Sequence, residues 1–172
     1  MKNQEFLNNY FENIWSGRIN QYSFSGYALV KKVQQDEWVL DVGCGSNPFK
    51  GKIKNLVGID PANDAADIRT TIEDYVTDQK FDVAFCLGSL NFGSEDDIML
   101  QLIKVNSLLH KKAKIYWRCN PGKQDHGNNE CKEIVFFPWS ADWHFKFAKT
   151  LGFTVNCIEL DNGRLYSEWV RE

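Results

Sequence analysis

Nowhere in this sequence do eighteen apolar residues run together, no two of its cysteines stand as C-x-x-C, and no block of basic residues interrupts its mixed charge. The first absence argues against a membrane-spanning helix, and the opening MKNQEFLNNYFENIW lacks an apolar core of signal-peptide length. The cysteines, Cys44, Cys86, Cys119, Cys131 and Cys157, are odd in number and scattered. They read as reduced thiols in a cytoplasmic protein, neither secreted nor membrane-spanning. A net charge of −3 with interspersed signs offers no basic stripe to a phosphate backbone, so nucleic acid is not favoured as a partner. His110, His126, His144 and Cys131 match no zinc spacing, and no metal is expected. Internal repeats and low-complexity stretches are absent too.

What remains is a globular chain of 172 residues, 43 % apolar and 14 % aromatic. One domain of this length buries about two-thirds of its unfolded surface. Residues 1–35 read as an N-terminal helical cap and 36–172 as the core. Phe6, Leu7, Tyr10, Phe11, Ile14 and Trp15 carry helical spacing, and a second helix is expected over Ser25 to Gln35. Then "WVLDVG", "NLVGID", "FDVAFCLG" and "KIYWRC" alternate with helical or turn segments. Such runs, apolar on both faces, suit parallel strands covered on both sides, hence an α/β layer fold. In "SEDDIMLQLIKVNSLLHKK", Ser94 is the expected N-cap, acids fill the first turn and lysines the last. Another helix is expected from Ser140 to Gly152, and Asn162-Gly163 predicts a closing antiparallel hairpin.

The chemistry gathers at "LDVGCGSNPF". This turn has two readings: a plain strand terminator, or a cradle where a ligand lies against bare backbone at the carboxyl end of a strand. Asp41 stands beneath it, and Asp60 ends the next strand, where a carboxylate can accept both hydroxyls of a ribose. A dinucleotide fold needs a third glycine opening a helix; here that glycine is missing and Pro48 falls near its place.

With "VLDVGCG", "GID", "FDVAFCLGSLNF" and a final hairpin in this order, the chain resembles the class I S-adenosylmethionine-dependent methyltransferases over about Trp38 to Glu172. "LGSLNFGS" is also similar to small phage-type members. The resemblance implies a Rossmann-like fold with a seven-stranded mixed sheet of order 3-2-1-4-5-7-6 and helices on both faces. The cofactor it implies is S-adenosylmethionine, with S-adenosylhomocysteine as product. Carried over by position, Asp41, Gly43, Cys44 and Gly45 line the methionine and ribose, Asp60 binds the ribose hydroxyls and Pro61 packs near the adenine. Thr71 and Ile72 fall where an acid often reads the adenine amine, a contact that passes to Glu73, Asp74 or a backbone amide. Leu87 and Gly88 sit beside the transferred methyl. Arg18, in a glycine-containing break ahead of the first strand, is the candidate to close over the methionine carboxylate.

The acceptor is not named by these residues. Asn91, Asn120, His126 and His144 are candidates near the reacting centre, of which the histidines can act as base near neutral pH. Phe136, Phe137 and Trp139 are candidate acceptor walls, their alternative being core packing. The reading is a methyltransferase acting on a small-molecule or protein acceptor; its rival is a degenerate binding or interaction protein keeping the fold. The absence of an Asp/Asn-Pro-Pro-aromatic motif after the third strand argues against methylation of base amines.

Overall fold

The computed structural model describes residues 3–15, 17, 19 and 22–172. Its centre is a six-stranded sheet of β1 (Val39–Val42), β2 (Leu56–Ile59), β3 (Phe81–Leu87), β4 (Leu109–Cys119), β5 (Thr154–Asp161) and β6 (Arg164–Val170), in the order β2-β1-β3-β4-β6-β5. β1, β2, β3 and β4 run parallel, and β6 is antiparallel to β4 and β5. This is the expected order without its outermost strand. The missing strand is reduced to one bridge between Ile59 and Ile68. Its segment, PANDAADIRTTI, carries Pro61, Asn63, Asp64 and Asp67, residues that suit turns better than ladders. Asp67 takes over the edge instead: its carboxylate accepts from the Gly58 N–H at 2.9 Å and its N–H donates to the Gly58 carbonyl at 2.9 Å.

Among the described residues the α-helices are α1 (Gln4–Asn13), α2 (Glu95–Leu108) and α3 (Ala141–Thr150). Ser94 and Asp97 form a capping box on α2, and Ser140 caps α3 by accepting from the Trp143 N–H. The lysines expected in the last turn of α2 stand in β4, because the chain turns into the strand at Leu109. The helix expected over Ser25 to Gln35 is a short 3-10 helix, Tyr27–Lys32, whose preceding Gly26 supplies no side-chain cap. Asn162 and Gly163 both have positive φ, as the hairpin requires.

Strand alternation divides the core. Leu40, Val42, Ala84, Ile115 and Trp117 face α2 and α3 in the larger cluster. Val39, Val83, Phe85 and Tyr116 face the other way, against Leu29 of the 3-10 helix and Phe49 and Ile53 of the glycine loop. Helices were expected on both faces; among the described residues α2 and α3 cover one, and the 3-10 helix with the glycine loop covers the other. Between Val42 and Leu56 the chain takes positive φ at Gly43, Gly45, Asn47 and Gly51, which no helix continues through, so Phe49 and Ile53 fill the space from a turn. α1 belongs to neither face. Its Leu7 and Tyr10 pack with Phe92, Cys131 and Ile134, segments that follow β3 and β4.

Candidate functional site

Two neighbouring cavities open beyond the carboxyl ends of β1 and β3, one of about 110 Å³ and one of about 290 Å³. Gly43, Asp60 and Gly88 line both, so the two spaces meet there. The meeting point is built by backbone that only glycine adopts comfortably: Gly43, Gly45 and Gly88 have φ of +67°, +54° and +94°. A Cβ on Gly43 would stand 2.3 Å from Ser89 Cβ, whereas one on Gly45 would meet no protein atom within 4 Å. The first glycine serves the fold and the second leaves room.

Asp60 holds this loop in shape. One carboxylate oxygen accepts from the Gly45 N–H at 2.9 Å and the other from the Ala62 N–H at 2.8 Å. Each oxygen keeps a lone pair for a further donor. Asp41 is buried and lines the larger cavity, and its carboxylate makes no hydrogen bond among the described residues. Burial, then the charges of Asp60 and Asp67, push its pKa up to about 7. Such a group favours a cationic donor. Burial likewise raises the Cys44 thiol, so it is no thiolate nucleophile.

The smaller cavity receives Pro61, Thr71 and Ile72, together with Leu7 and Phe11 of α1. Thr71 Oγ1 is turned to Asp74 Oδ2 at 2.8 Å. The orphaned acceptor there is Gln101 Oε1, on a side chain whose Nε2 donates to Glu73 at 2.9 Å. Ser89 Oγ is a second buried atom without a partner at the same wall. Gln101 escaped the sequence reading, although a polar residue three positions from Ile98 on an otherwise apolar helix face was its signal.

Leu87, Asn91, Asn120 and His126 line the larger cavity. Asn91 Oδ1 accepts from the Asn120 N–H at 3.1 Å, and Asn120 Nδ2 donates to the Gln124 carbonyl at 3.2 Å. His126 stacks on Trp15 with centroids 3.8 Å apart. Asn128 Nδ2 donates to the Tyr10 hydroxyl at 2.9 Å, and that fully buried hydroxyl lies 3.0 Å from His126 Nδ1. In the tautomer where the Tyr10 hydroxyl donates to Nδ1, the imidazole proton stands on Nε2. Burial, then Arg164, lowers the His126 pKa to about 4, so the ring is neutral near pH 7. Arg118 and Arg164 also reach this cavity and were missed; the visible signal was an arginine ending the apolar strand IYWRC.

Three candidates lie elsewhere. His144 is fully buried, accepts from Trp169 Nε1 at 3.1 Å and packs against Trp117 and Trp139; burial lowers its pKa to about 3. Phe137 and Trp139, expected as acceptor walls, are core residues, and Trp139 Nε1 donates to the Leu90 carbonyl at 2.8 Å. Phe136 turns instead toward Phe92 and His126. The reason is the loop's path: the Phe137 N–H donates to the Asn91 carbonyl at 2.7 Å, pinning this stretch against the end of β3 and turning alternate rings inward. Arg18 lies outside the described residues. Among the described residues no group of three His, Cys, Asp or Glu could hold a metal ion, and no helix is long and apolar enough to cross a membrane.

No family model matches the sequence, and no curated protein matches it. Solved structures do. The chain is similar to the 1,6-didemethyltoxoflavin-N1-methyltransferase of Burkholderia thailandensis, solved with 1,6-didemethyltoxoflavin and S-adenosylhomocysteine, at 13 % identity and a TM-score of 0.73 over 98 % of this chain and 86 % of that one. It is also similar to the magnesium protoporphyrin IX methyltransferase of Synechocystis with bound S-adenosylmethionine, at 12 % identity and a TM-score of 0.71 over 100 % and 98 % of the two chains. A third is an S-adenosylmethionine-bound amino pentose methyltransferase of Micromonospora echinaspora, at 14 % identity and 0.66 over 94 % and 99 %.

Proposed function

From the fold of the class I S-adenosylmethionine-dependent methyltransferases, which this chain has, we propose that it transfers a methyl group from S-adenosylmethionine to a small-molecule acceptor. The observation that carries the reading is Asp41, a buried carboxylate without a hydrogen bond among the described residues, lining a cavity floored by bare glycine backbone.

The residues fit the cofactor. Asp41 receives its ammonium, the spare lone pairs of Asp60 receive the ribose hydroxyls, and Gln101 Oε1 receives the adenine amine in the smaller cavity. When bound, the cofactor supplies an electrophilic methyl carbon. Alignment accounts for much of such a displacement, and Gly88 leaves the space beside the reacting centre free of a side chain. His126 offers Nε2–H to the acceptor as a donor, since Nδ1 is already taken by Tyr10. In this reading the protein orients a nucleophile that has already lost its proton or gives it to water.

Calorimetry checks the first half: S-adenosylhomocysteine binds and NAD does not. Asp60→Ala, folded by circular dichroism, weakens S-adenosylhomocysteine by about 1–3 kcal/mol. Labelled methyl transfer to a panel of small acceptors checks the second half. Tight binding with no turnover on any of them would favour an interaction protein.

A further inference from the structure

The larger cavity is bipolar. Asp41 and Asp60 stand at its glycine end, whereas Arg118 and Arg164 line it from β4 and β6. Two guanidinium groups stay charged in any protein environment. Yet among the described residues neither Arg118 nor Arg164 is in an ion pair. Arg118 is half-buried, its guanidinium 3.5 Å from the centre of the Tyr22 ring, and its Nε is a buried donor with no partner among the described residues.

The nearby carboxylates give their hydrogen bonds to other donors. Asp161 is taken by neutral donors, the N–H groups of Ser23, Phe24 and Ser25 and the Ser25 hydroxyl. Asp125 Oδ1 accepts from the Gly127 N–H at 2.7 Å. Arg164 is steered by neutral acceptors, donating to Gln124 Oε1 at 2.9 Å and the Asp125 carbonyl at 3.3 Å. Burial lowers the Arg118 pKa; Tyr22 and Asp161 act against that shift and the Arg164 charge adds to it. Trp15, Tyr22 and His126 line the same end and give a planar ring something to stack on.

Resting on the methyltransferase reading, we infer that the methyl acceptor is a small, ring-bearing anion whose carboxylate or phosphate group is bound by Arg118 and Arg164. The cofactor's own carboxylate is the competing claimant. Its ammonium and carboxylate share one carbon, however, and Asp41 stands on β1 while the arginines stand on β4 and β6, across β3. Arg118 is also one pleat farther along: Asp41 is level with Phe85 and Tyr116, and Arg118 is level with Leu87. The arginines therefore serve the acceptor end.

The test uses benzoate and its neutral isostere benzamide, titrated by NMR into the full chain with and without saturating S-adenosylhomocysteine, and inorganic phosphate as a ringless anion. Benzoate binds the wild type roughly tenfold more tightly than benzamide, and salt weakens it. Arg118→Gln and Arg164→Gln, each folded by near-UV circular dichroism, cut that preference to about threefold or less, and Arg118→Lys retains part of it. Affinity for S-adenosylhomocysteine stays within about threefold throughout. Phosphate competing as well as benzoate assigns a phosphate-type subsite; weaker competition assigns a carboxylate. Equal binding of benzoate and benzamide to the wild type overturns the inference, as does a preference that survives both glutamine variants. A parallel loss of S-adenosylhomocysteine affinity would hand the arginines to the cofactor and overturn it too. Benzoate preference with no S-adenosylhomocysteine binding would instead reject the methyltransferase reading and leave the anion site standing.

Discussion

Gly43 and Gly45 look alike in the sequence and differ in what surrounds them. Both have positive φ, which a side chain tolerates at a cost of about 1–2 kcal/mol. At Gly43 the added Cβ also collides with Ser89 Cβ at 2.3 Å, so Gly43→Ala should lower stability by more than that strain and carry ligand binding down with it. At Gly45 the Cβ enters open space, so Gly45→Ala should stay folded and lose affinity for S-adenosylhomocysteine more than stability. Urea denaturation and calorimetry on the two variants separate these outcomes; equal loss of stability would make both glycines strand terminators. The placement of Asp41, Asp60 and the glycines at the cavity was legible because it follows from position at a strand end. Gln101 and Arg118 each stood out as a polar residue in an apolar element, but nothing local says that Gln101 Oε1 or Arg118 Nε will lack a hydrogen bond among the described residues.

The terminal hairpin is tied to the segment before β1 by one side chain. Asp161, buried at the end of β5, accepts three backbone N–H groups and a hydroxyl from Ser23, Phe24 and Ser25. Burial alone would raise its pKa, but these hydrogen bonds outweigh burial and hold it below the ordinary value of 3.8. A depressed carboxyl stabilises the fold above its unfolded pKa, and that contribution fades as pH falls through the folded one. Asp161→Ala should cost about 2–4 kcal/mol near pH 7. Ser140→Ala, which removes only the cap of α3, should cost about 1 kcal/mol. Urea titrations compare the two, and an Asp161 variant as stable as the capping variant would show that the tie carries little. The hairpin was readable from Asn162-Gly163, but its fastening to Ser23–Ser25 was not, because the partners stand more than 130 residues apart.

The protein as a unit carries a pH signature through Asp41. Its pKa is about 7 when folded, against 3.8 ordinarily, so between these values the unfolded chain has released a proton that the fold still holds. Stability therefore falls as pH rises through that window, on the order of a few kcal/mol at most. Asp41→Asn should flatten the fall in melting temperature between about pH 5 and about pH 8. Binding should run the other way: a ligand ammonium favours the ionised carboxylate, so S-adenosylhomocysteine affinity should rise from about pH 6 to about pH 7.5, with proton release seen by calorimetry in two buffers. An affinity flat with pH would return Asp41 to a purely structural part. By itself the sequence determined the succession of strands, the caps of α2 and α3, the turning hairpin and the glycine loop with its acids, because alternation, capping and positive φ are local demands. Only the tertiary structure decided that the outermost strand is reduced to one bridge at Ile68, that one face is covered by a 3-10 helix and a loop, and that Phe137, Trp139 and His144 are core. It also brought Arg118 and Arg164 to the cavity that holds Asp41. Burial and charge balance depend on what packs from distant parts of the chain, and residue type alone does not carry that information.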